Sequence, residues 1–338
     1  MVDPVQLSLG DAEALAAAAL AHSGASDASA RATAKALVAA EADGQAGHGL
    51  SRVSTYALHA RCGKVDGRAV PRVEQVAAAA LRVDAGHGFA YPAIDAAIAA
   101  LVPLARTSGI AVAVLHRSHH FGQAGAHAER LAAAGLVGLV LGNTPKAMAL
   151  WGGRRPLLGT NPLAFAAPLT DSRAPLVIDL ALSVAARGKI VAAQKAGEPI
   201  PEGWAVDAAG QPTTDPSAAL AGTLSPIGGA KGAALALMVE ILAAAVTGSA
   251  WGWEASSFFD DQGGPPDMGQ VLVALDPGPL SGGAYAQRIG VLLDAIADEP
   301  EVRLPGERRL ALRARAAREG LTVPGELHAA IRALLPPA

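Results

Sequence analysis

Three histidines lie close together in residues 116–122, HRSHHFG. They directly follow an apolar run at 110–115 that predicts a buried strand. Reactive groups in α/β proteins collect at the carboxyl ends of strands, and histidine exchanges a proton near neutral pH. We therefore expect at least one of these histidines to be a general acid/base. Two alternatives stay open. The spacing of positions 116, 119 and 120 also suits a metal site on a helix face, although no acid or cysteine cluster lies nearby in sequence. The third interpretation is polar loop histidines that cap backbone groups.

A second polar cluster occupies residues 47–52, GHGLSR. Arg52 lies about one helical turn beyond His48, at a predicted helix start. A guanidinium fork can hold a carboxylate through two parallel hydrogen bonds. The alternative is an ordinary helix entry with an exposed arginine.

Further segments combine glycine with small polar or charged residues. Gly142-Asn143-Thr144-Pro145 and Gly159-Thr160-Asn161-Pro162 suit phosphate or amide recognition, and equally plain turns. Residues 228–232, GGAKG, open a predicted helix and suit an anion site or a simple helix start. Residues 304–309, LPGERR, form a basic turn that is most simply a solvated face. Asp179 and Ser183 follow a predicted strand, where a carboxylate could orient a histidine, hold a ribose hydroxyl or cap a helix.

Several common signatures are absent from the sequence. There is no G-x-G-x-x-G of the ordinary dinucleotide fold, no Walker A motif and no G-x-S-x-G elbow, although the chain has 38 glycines. Cys62 is the single cysteine, so no internal disulfide can form. A net charge of −3 and 4% aromatic residues argue against a nucleic-acid partner.

The chain is 338 residues long and 51% hydrophobic, which suggests two domains, or one large domain with a helical annex. Short apolar runs that alternate with helical patterns predict an α/β sheet covered on both faces. We find no signal peptide pattern and no membrane span, and we expect a cytoplasmic protein. The predicted helices are 11–22, 27–43, 50–61, 92–106, 124–134, 231–247, 284–297 and a helical tail from 306. The predicted strands are 76–83, 110–115, 136–141, 162–167, 175–178 and 270–274. Residues 196–228 are predicted to be a long ordered loop, and residues 251–268 to be irregular.

Taken in order, five of these motifs resemble the malate/L-lactate/ureidoglycolate dehydrogenase family of NAD(P)-dependent oxidoreductases. The resemblance runs from about residue 5 to 335. The motifs are HGLSR at 48–52, SHHFG at 118–122, LGTNP at 158–162, GAKG at 229–232 and PGE at 305–307. Residues 237–245, 253–254, 285–288 and 304–309 are most similar to the Δ1-piperideine-2-carboxylate/Δ1-pyrroline-2-carboxylate reductases. Residues 122–125 and 254–268 depart from those reductases and are expected to line the substrate pocket.

The resemblance implies a fold and a site. The fold is a non-Rossmann NAD(P)-binding mixed sheet with a helical domain formed by the N- and C-terminal segments, as in L-sulfolactate and malate dehydrogenases. The expected division is 1–115 with 300–338, for the substrate and dimer contacts, and 116–299 for the cofactor. His120 would be the acid/base, Arg52 the carboxylate clamp, and His48 its neighbour. No metal is expected. The residues that fall at cofactor positions are Thr144, Asp179, Lys231, Gly232, Gly306 and Glu307.

The implied activity is NADPH-dependent reduction of cyclic imino acids by a homodimer, with NADH also possible. The positive charges of Arg187 and of Lys189 or Arg308 suggest a 2′-phosphate partner and hence NADP. Two alternatives remain: an NAD(P)-dependent 2-hydroxy-acid dehydrogenase of the malate, lactate, ureidoglycolate or sulfolactate type, and a non-enzymatic protein that retains a cofactor pocket.

Overall fold

The computed structural model describes residues 2–170, 173–299 and 301–336. The strands are β1 Val5–Leu7, β2 Arg72–Ala77, β3 Ala80–Asp84, β4 Ile110–Ser118, β5 Val137–Gly142, β6 Met148–Ala149, β7 Pro156–Leu158, β8 Leu163–Ala167, β9 Leu176–Leu180, β10 Ala205–Val206, β11 Thr223–Leu224, β12 Met268–Leu275 and β13 Leu321–Val323. The helices are α1 Leu9–His22, α2 Asp27–Ala42, α3 Val53–Cys62, α4 Ala90–Ser108, α5 Ala124–Ala133, α6 Arg187–Ala196, α7 Pro216–Ala221, α8 Ala230–Glu240, α9 Pro277–Leu280, α10 Tyr285–Ala297, α11 Glu307–Glu319 and α12 Gly325–Arg332.

A seven-stranded mixed sheet, in the order β2-β3-β4-β12-β5-β8-β9, forms the centre of the molecule. Only the β3–β4 pair is parallel among these described neighbours. Alternate residues of a strand point to opposite faces. Ala113 and Leu115 of β4 therefore join the core under α4 and α5, whereas Val112 and Val114 pack toward α8. The predicted α/β sheet with both faces covered is confirmed.

The two ends of the chain build a helical layer together. β1 pairs with β13 antiparallel, and α1 contacts both α2 and α12. Their apolar faces form one core that includes Leu20, Leu37 and Ile331. Ser8 and Ser26 cap α1 and α2 by accepting backbone N–H groups of the first turn. The predicted helical part made from the N- and C-terminal segments is thus confirmed.

Four charged side chains tie this helical layer to the sheet. Arg313 Nε and Nη2 donate to Asp43 at 2.7 and 2.8 Å, and Arg313 Nη1 donates to Glu129 of α5 at 3.0 Å. Arg309 Nη1 donates to Glu129 at 2.6 Å and contacts Asp43 at 3.3 Å. Because Asp43 is buried, both arginines are needed to compensate its charge.

The predicted division at residues 115 and 300 remains a prediction. Residues 72–108, which it assigns to the helical part, form β2 and β3 of the large sheet and the helix α4, which packs on that sheet.

Five predicted elements need correction. The helical tail predicted from residue 306 is interrupted by the strand β13, which pairs with β1. Residues 76–83 are a hairpin of β2 and β3 rather than one strand, since the turn at 78–79 is built from alanines and carries no turn signal. The strand predicted at 110–115 continues to Ser118. The predicted loop 196–228 contains the helix α7 and the strands β10 and β11, which belong to a small second sheet. The predicted helix 231–247 becomes a π-helix at Ile241–Ala245, where the backbone of Gly269 passes so close that a Cβ would lie 1.7 Å from the oxygen of Ala243.

No helix among the described residues is long and apolar enough to cross a membrane.

Candidate active site

One edge of the large sheet gathers the predicted site residues. β4 ends there at Ser118 opposite Met268 of β12, and β5 ends there at Gly142 opposite Gln270. Leu163, which starts β8, pairs with Leu180 at the end of β9. His119 and His120 therefore leave the sheet one strand away from Asn143 and Thr144. β12 lies between β4 and β5, and adjacent strands are about 4.8 Å apart, so the two groups are about 10 Å apart, within the span of a small substrate and its cofactor.

His120 is held by a buried chain of phenol groups. Its Nδ1 lies 2.5 Å from the hydroxyl of Tyr56, which lies 3.2 Å from the hydroxyl of Tyr91. Gly122 makes this arrangement possible: it has a φ of 69°, and a Cβ there would lie 2.7 Å from the Tyr91 hydroxyl. Burial raises the pKa of Tyr56 to about 12, and burial raises that of Tyr91 well above its ordinary value. Both phenols therefore stay protonated.

His48 and Arg52 reach the same place from the turns before α3. The rings of His48 and His120 stack with centroids 5.2 Å apart. Arg52 Nε donates to the carbonyl of Gly47 at 2.7 Å, which fixes the guanidinium and leaves its two terminal nitrogens for another partner. The structure thus brings together the three residues predicted to be catalytic.

Both histidines are neutral near pH 7. Burial, and after it the positive charge of Arg52, lowers the pKa of His48 to about 4. The same two causes, in the same order, hold the pKa of His120 well below the ordinary histidine value. A neutral imidazole can accept a proton, and an anion bound at Arg52 would offset one of the two causes.

His119 is held by His59 and Gln270 and has a structural role in the described contacts. His59 Nε2 donates to the carbonyl of Asp260 at 2.9 Å, so in the neutral ring its Nδ1 accepts from His119 Nε2 at 3.1 Å. Gln270 Nε2 donates to the carbonyl of His119 at 3.2 Å. Sequence reasoning missed His59 and Gln270, since neither lies in a recognisable motif.

Two phenylalanines of the irregular segment cover the histidines and the arginine. The Phe258 ring lies 5.1 Å from that of His120 and 5.3 Å from that of His119. The guanidinium carbon of Arg52 lies 4.9 Å from the centre of the Phe259 ring. The expectation that residues 254–268 line the site therefore has a geometric basis at these two positions.

A buried carboxylate joins the two small polar turns. Glu240 of α8 accepts from Asn143 Nδ2 at 3.2 Å and Gly252 N at 2.6 Å through one oxygen, and from Asn161 Nδ2 at 2.8 Å through the other. Thr144 Oγ1 in turn accepts from the N–H of Thr160 at 2.9 Å. Glu240 was not predicted as a site residue, although a single acid in an apolar helix was a usable signal.

A second group of predicted cofactor residues lies at the end of β9. Asp179 accepts the N–H of Gly125, at the start of α5, at 2.8 Å. Gly306, with a φ of 94°, lies beside Val177 of the same strand, since a Cβ there would be 3.4 Å from its carbonyl. Glu307 follows as the first residue of α11. Asp179, Gly306 and Glu307 are therefore neighbours in space.

The remaining predicted residues are spread over three helix starts, those of α8, α6 and α11. Lys231 is exposed in the first turn of α8, and Gly232 has no room for a side chain because a Cβ would lie 1.7 Å from the carbonyl of Ile227. Arg187 begins α6 and Arg308 is exposed on α11; the described residues show no contact between them. Lys189 lies over the Trp204 ring at 5.8 Å. These cations are not gathered into one cluster.

The metal interpretation finds no geometric support. His116 and Ser118 belong to β4, so positions 116, 119 and 120 do not share a helix face. No group of three or more potential ligands among the described residues could hold a metal ion. Ser183 donates to the carbonyl of Ala185 at 2.9 Å and does not cap α6, whose N-cap residue is Ala186.

Comparison with known proteins agrees over nearly the whole chain. A family profile described as malate/L-lactate dehydrogenase matches residues 7–332. The (2R)-3-sulfolactate dehydrogenase (NADP(+)) of Chromohalobacter salexigens is 54% identical over 318 residues, 94% of each chain. The Δ1-pyrroline-2-carboxylate/Δ1-piperideine-2-carboxylate reductase of Pseudomonas putida is 45% identical over 305 residues, 89% of this chain and 88% of that one. The crystal structure of Δ1-piperideine-2-carboxylate reductase from Pseudomonas syringae pv. tomato superposes with a TM-score of 0.92 at 38% identity, covering 98% of this chain and 99% of that one.

Proposed function

The chain belongs to the malate/L-lactate dehydrogenase family of oxidoreductases, and from this membership we propose that it is an NADPH-dependent reductase of cyclic imino acids. The substrates would be Δ1-piperideine-2-carboxylate and Δ1-pyrroline-2-carboxylate, reduced to pipecolate and proline. The observation that carries this proposal is the composition of the site: a guanidinium, a histidine and an apolar ring wall converge at one place.

The residues at the sheet edge have the chemistry that a nicotinamide dinucleotide needs. The exposed Lys231 and the first N–H groups of α8 suit phosphate oxygens, and the carboxylates of Asp179 and Glu307 suit ribose hydroxyls. Gly232 cannot carry a side chain, because a Cβ there would collide with the carbonyl of Ile227, which lies just before the start of α8. Thr144 would complete the contacts, and Arg187 with Lys189 or Arg308 would face the 2′-phosphate of NADPH, while NADH stays possible as a weaker partner.

Arg52 would hold the substrate carboxylate through its two terminal nitrogens, with His48 stacked beside His120. Pairing of that carboxylate with Arg52 offsets the second cause, after burial, that lowers the pKa of His120, so this pKa rises toward its ordinary value in the complex. His120 Nε2 would then give its proton to the ring nitrogen of the imine. Tyr56 can donate to Nδ1 of the neutral ring or accept from Nδ1–H of the imidazolium, so it supports both states. When bound, the reduced nicotinamide supplies the hydride for the adjacent carbon.

Phe258 favours a cyclic imino acid because it presents an apolar ring face beside His120. Arg52 is the first charge that lowers the pKa of His120, and it matches the one carboxylate of such a substrate. A flat apolar ring with one carboxylate is complementary to this pair of groups.

A second candidate, oxidation of (2R)-3-sulfolactate, is favoured by the 54% identity to the Chromohalobacter enzyme. Neutral His120 would accept the hydroxyl proton in that direction. The substrate carries a second anion, the sulfonate, for which another cation would be needed beside Arg52.

We also propose a homodimer. The outer side of α8 and the π-helix exposes Leu235, Met238 and Ile241, three residues apart on one face, to 41, 41 and 45%. A second copy of the chain would remove this apolar stripe from water.

The test is turnover of the purified protein with Δ1-piperideine-2-carboxylate, Δ1-pyrroline-2-carboxylate, 3-sulfopyruvate, pyruvate and oxaloacetate, each with NADPH and with NADH. Oxidation of the reduced nicotinamide is followed by absorbance. Fast turnover of the cyclic imines with NADPH supports the first candidate. Turnover of 3-sulfopyruvate alone replaces it with the second, and no turnover of any of these compounds contradicts both.

A further inference from the structure

Segment 257–262, which carries Phe258 and Phe259, is anchored by one buried lysine. Lys64 follows α3 and is only 1% exposed. Its ammonium donates to the carbonyls of Ser257 at 2.7 Å, Asp260 at 3.0 Å and Gln262 at 2.8 Å. Since an ammonium has three protons, these three carbonyls account for its whole donor capacity.

The partners that compensate the charge of Lys64 are unusual. A buried lysine normally needs a carboxylate to compensate its charge. Here the nearest carboxylate oxygen, of Asp260, lies 3.5 Å away and that side chain is 47% exposed, so the backbone carbonyls do most of the compensation. An ammonium that organises three carbonyls defines the path of the chain that bears them.

His59 of α3 also holds the carbonyl of Asp260. His59 donates from Nε2 to the Asp260 carbonyl at 2.9 Å and is itself linked to His119. Lys64 and His59 therefore fix the segment on the side that faces α3.

The two phenylalanine side chains of the segment face the site. Phe258 is 6% exposed and lies against His119 and His120, whereas Phe259 is 54% exposed and lies on Arg52. A shift of the segment would move the wall of the pocket and the surface on which the guanidinium rests, without touching the residues proposed to hold the cofactor.

From these contacts we propose that Lys64 is a positioning residue that sets segment 257–262 over the site, and that Phe258 is the side chain through which it selects substrates. The proposal rests on the proposed function, because it assigns the determinant of selectivity at that same site. Substrates with an apolar ring beside the reacting carbon gain contact with Phe258, and open-chain acids with a polar group there do not.

The experiment compares Lys64→Met, which keeps an unbranched side chain one atom shorter and removes its donors, with Lys64→Arg, which keeps charge and donors. Lys35→Met, at an exposed position of α2, is the matched control. We expect kcat/KM for cyclic imines to fall about 10- to 100-fold in Lys64→Met, the size of effect that a small misplacement of substrate produces. The Kd of NADPH should stay within a factor of two, and Lys64→Arg should recover part of the loss.

Two further measurements separate positioning from general damage. Amide hydrogen exchange should rise in peptides that span 256–264 of Lys64→Met and stay unchanged in the sheet. Phe258→Ala should lower the ratio of kcat/KM for cyclic imine over open-chain 2-oxo acid, and the double variant with Lys64→Met should show little additional loss, because both changes act through one side chain.

The outcomes are distinct. Additive losses, or wild-type selectivity in Lys64→Met, would overturn the assignment, as would a loss of NADPH binding as large as the loss of turnover. If the wild-type protein reduces none of the candidate substrates, the proposed function fails, whereas unchanged exchange at 256–264 in Lys64→Met would refute the anchoring itself.

Discussion

Replacing Tyr56 by Phe removes one oxygen atom from the centre of the site. That oxygen lies 2.5 Å from His120 Nδ1 and 3.2 Å from the Tyr91 hydroxyl. Tyr56 is fully buried, so water cannot easily take its place. The variant keeps the ring that packs on Phe89 and His119 and changes only the hydrogen bonding.

The expected effect follows from the cost of leaving a buried polar atom unpaired. That cost is about 1–3 kcal/mol, and a tenfold change in rate corresponds to about 1.4 kcal/mol. Because the imidazolium that donates the proton needs Tyr56 as the acceptor for its Nδ1–H in a buried site, the loss should fall on kcat. We expect kcat to drop about 5- to 150-fold, with little change in the Kd of NADPH.

The assay is steady-state oxidation of NADPH with the best substrate of the panel, together with a fluorescence titration of NADPH binding. Tyr285→Phe is the control, since the Tyr285 hydroxyl donates to the carbonyl of Pro168 at 3.0 Å away from the site. A Tyr56→Phe variant with wild-type kcat, or one that loses NADPH binding in proportion to kcat, would refute the role of Tyr56 as the partner of His120.

Three other perturbations test the same structure. The free energy of unfolding should fall steeply as pH drops from 6.5 toward 4, because His119, His120 and His127 are buried with lowered pKa values, that of His127 being about 4. Below the ordinary histidine pKa these residues are protonated in the unfolded state but not in the folded state. Each of them therefore lowers the free energy of unfolding by about 1.4 kcal/mol per pH unit. Urea titrations at several pH values measure this slope, and His127→Gln should reduce it by one such increment; an unchanged slope would contradict the assignment. Gly122→Ala should lower kcat at least about tenfold while the protein still folds, since its Cβ would meet the Tyr91 hydroxyl at 2.7 Å; activity equal to wild type would show that the phenol chain is not needed. Arg313→Met should destabilise the protein by about 3 kcal/mol, because it leaves the buried Asp43 with Arg309 alone; thermal unfolding beside Arg31→Met, an exposed arginine of α2, provides the comparison, and equal melting temperatures would count against the network.

Local signals in the sequence were sufficient for much of the architecture. Apolar runs predicted α1, α2 and β5 because these elements are determined by neighbours in the chain. Ordered motifs were sufficient for the family, which the match over residues 7–332 confirms. They also indicated His48, Arg52 and His120, which the structure brings together.

Other features depend on contacts between residues far apart in sequence, and no local pattern encodes them. The hairpin at 72–84 turns on alanines, and the pairing of β1 with β13 joins the two ends of the chain. Glu240 is the buried acid of an otherwise apolar helix, and only the fold shows that it binds both polar turns.

The same difference between local and long-range contacts applies to the reactive groups and to the residues that support them. The sequence by itself determined which residue types are available for proton transfer and for binding a carboxylate, since these follow from the chemistry of histidine and arginine. Only the tertiary structure decided their state: burial beside Arg52 keeps His120 neutral, and Tyr56 orients it from 64 positions earlier in the chain. The structure likewise brings the ammonium of Lys64 to the carbonyl of Ser257, 193 positions away and next to Phe258. Protonation and position depend on solvent exclusion and on long-range packing, which arise only when the chain is folded.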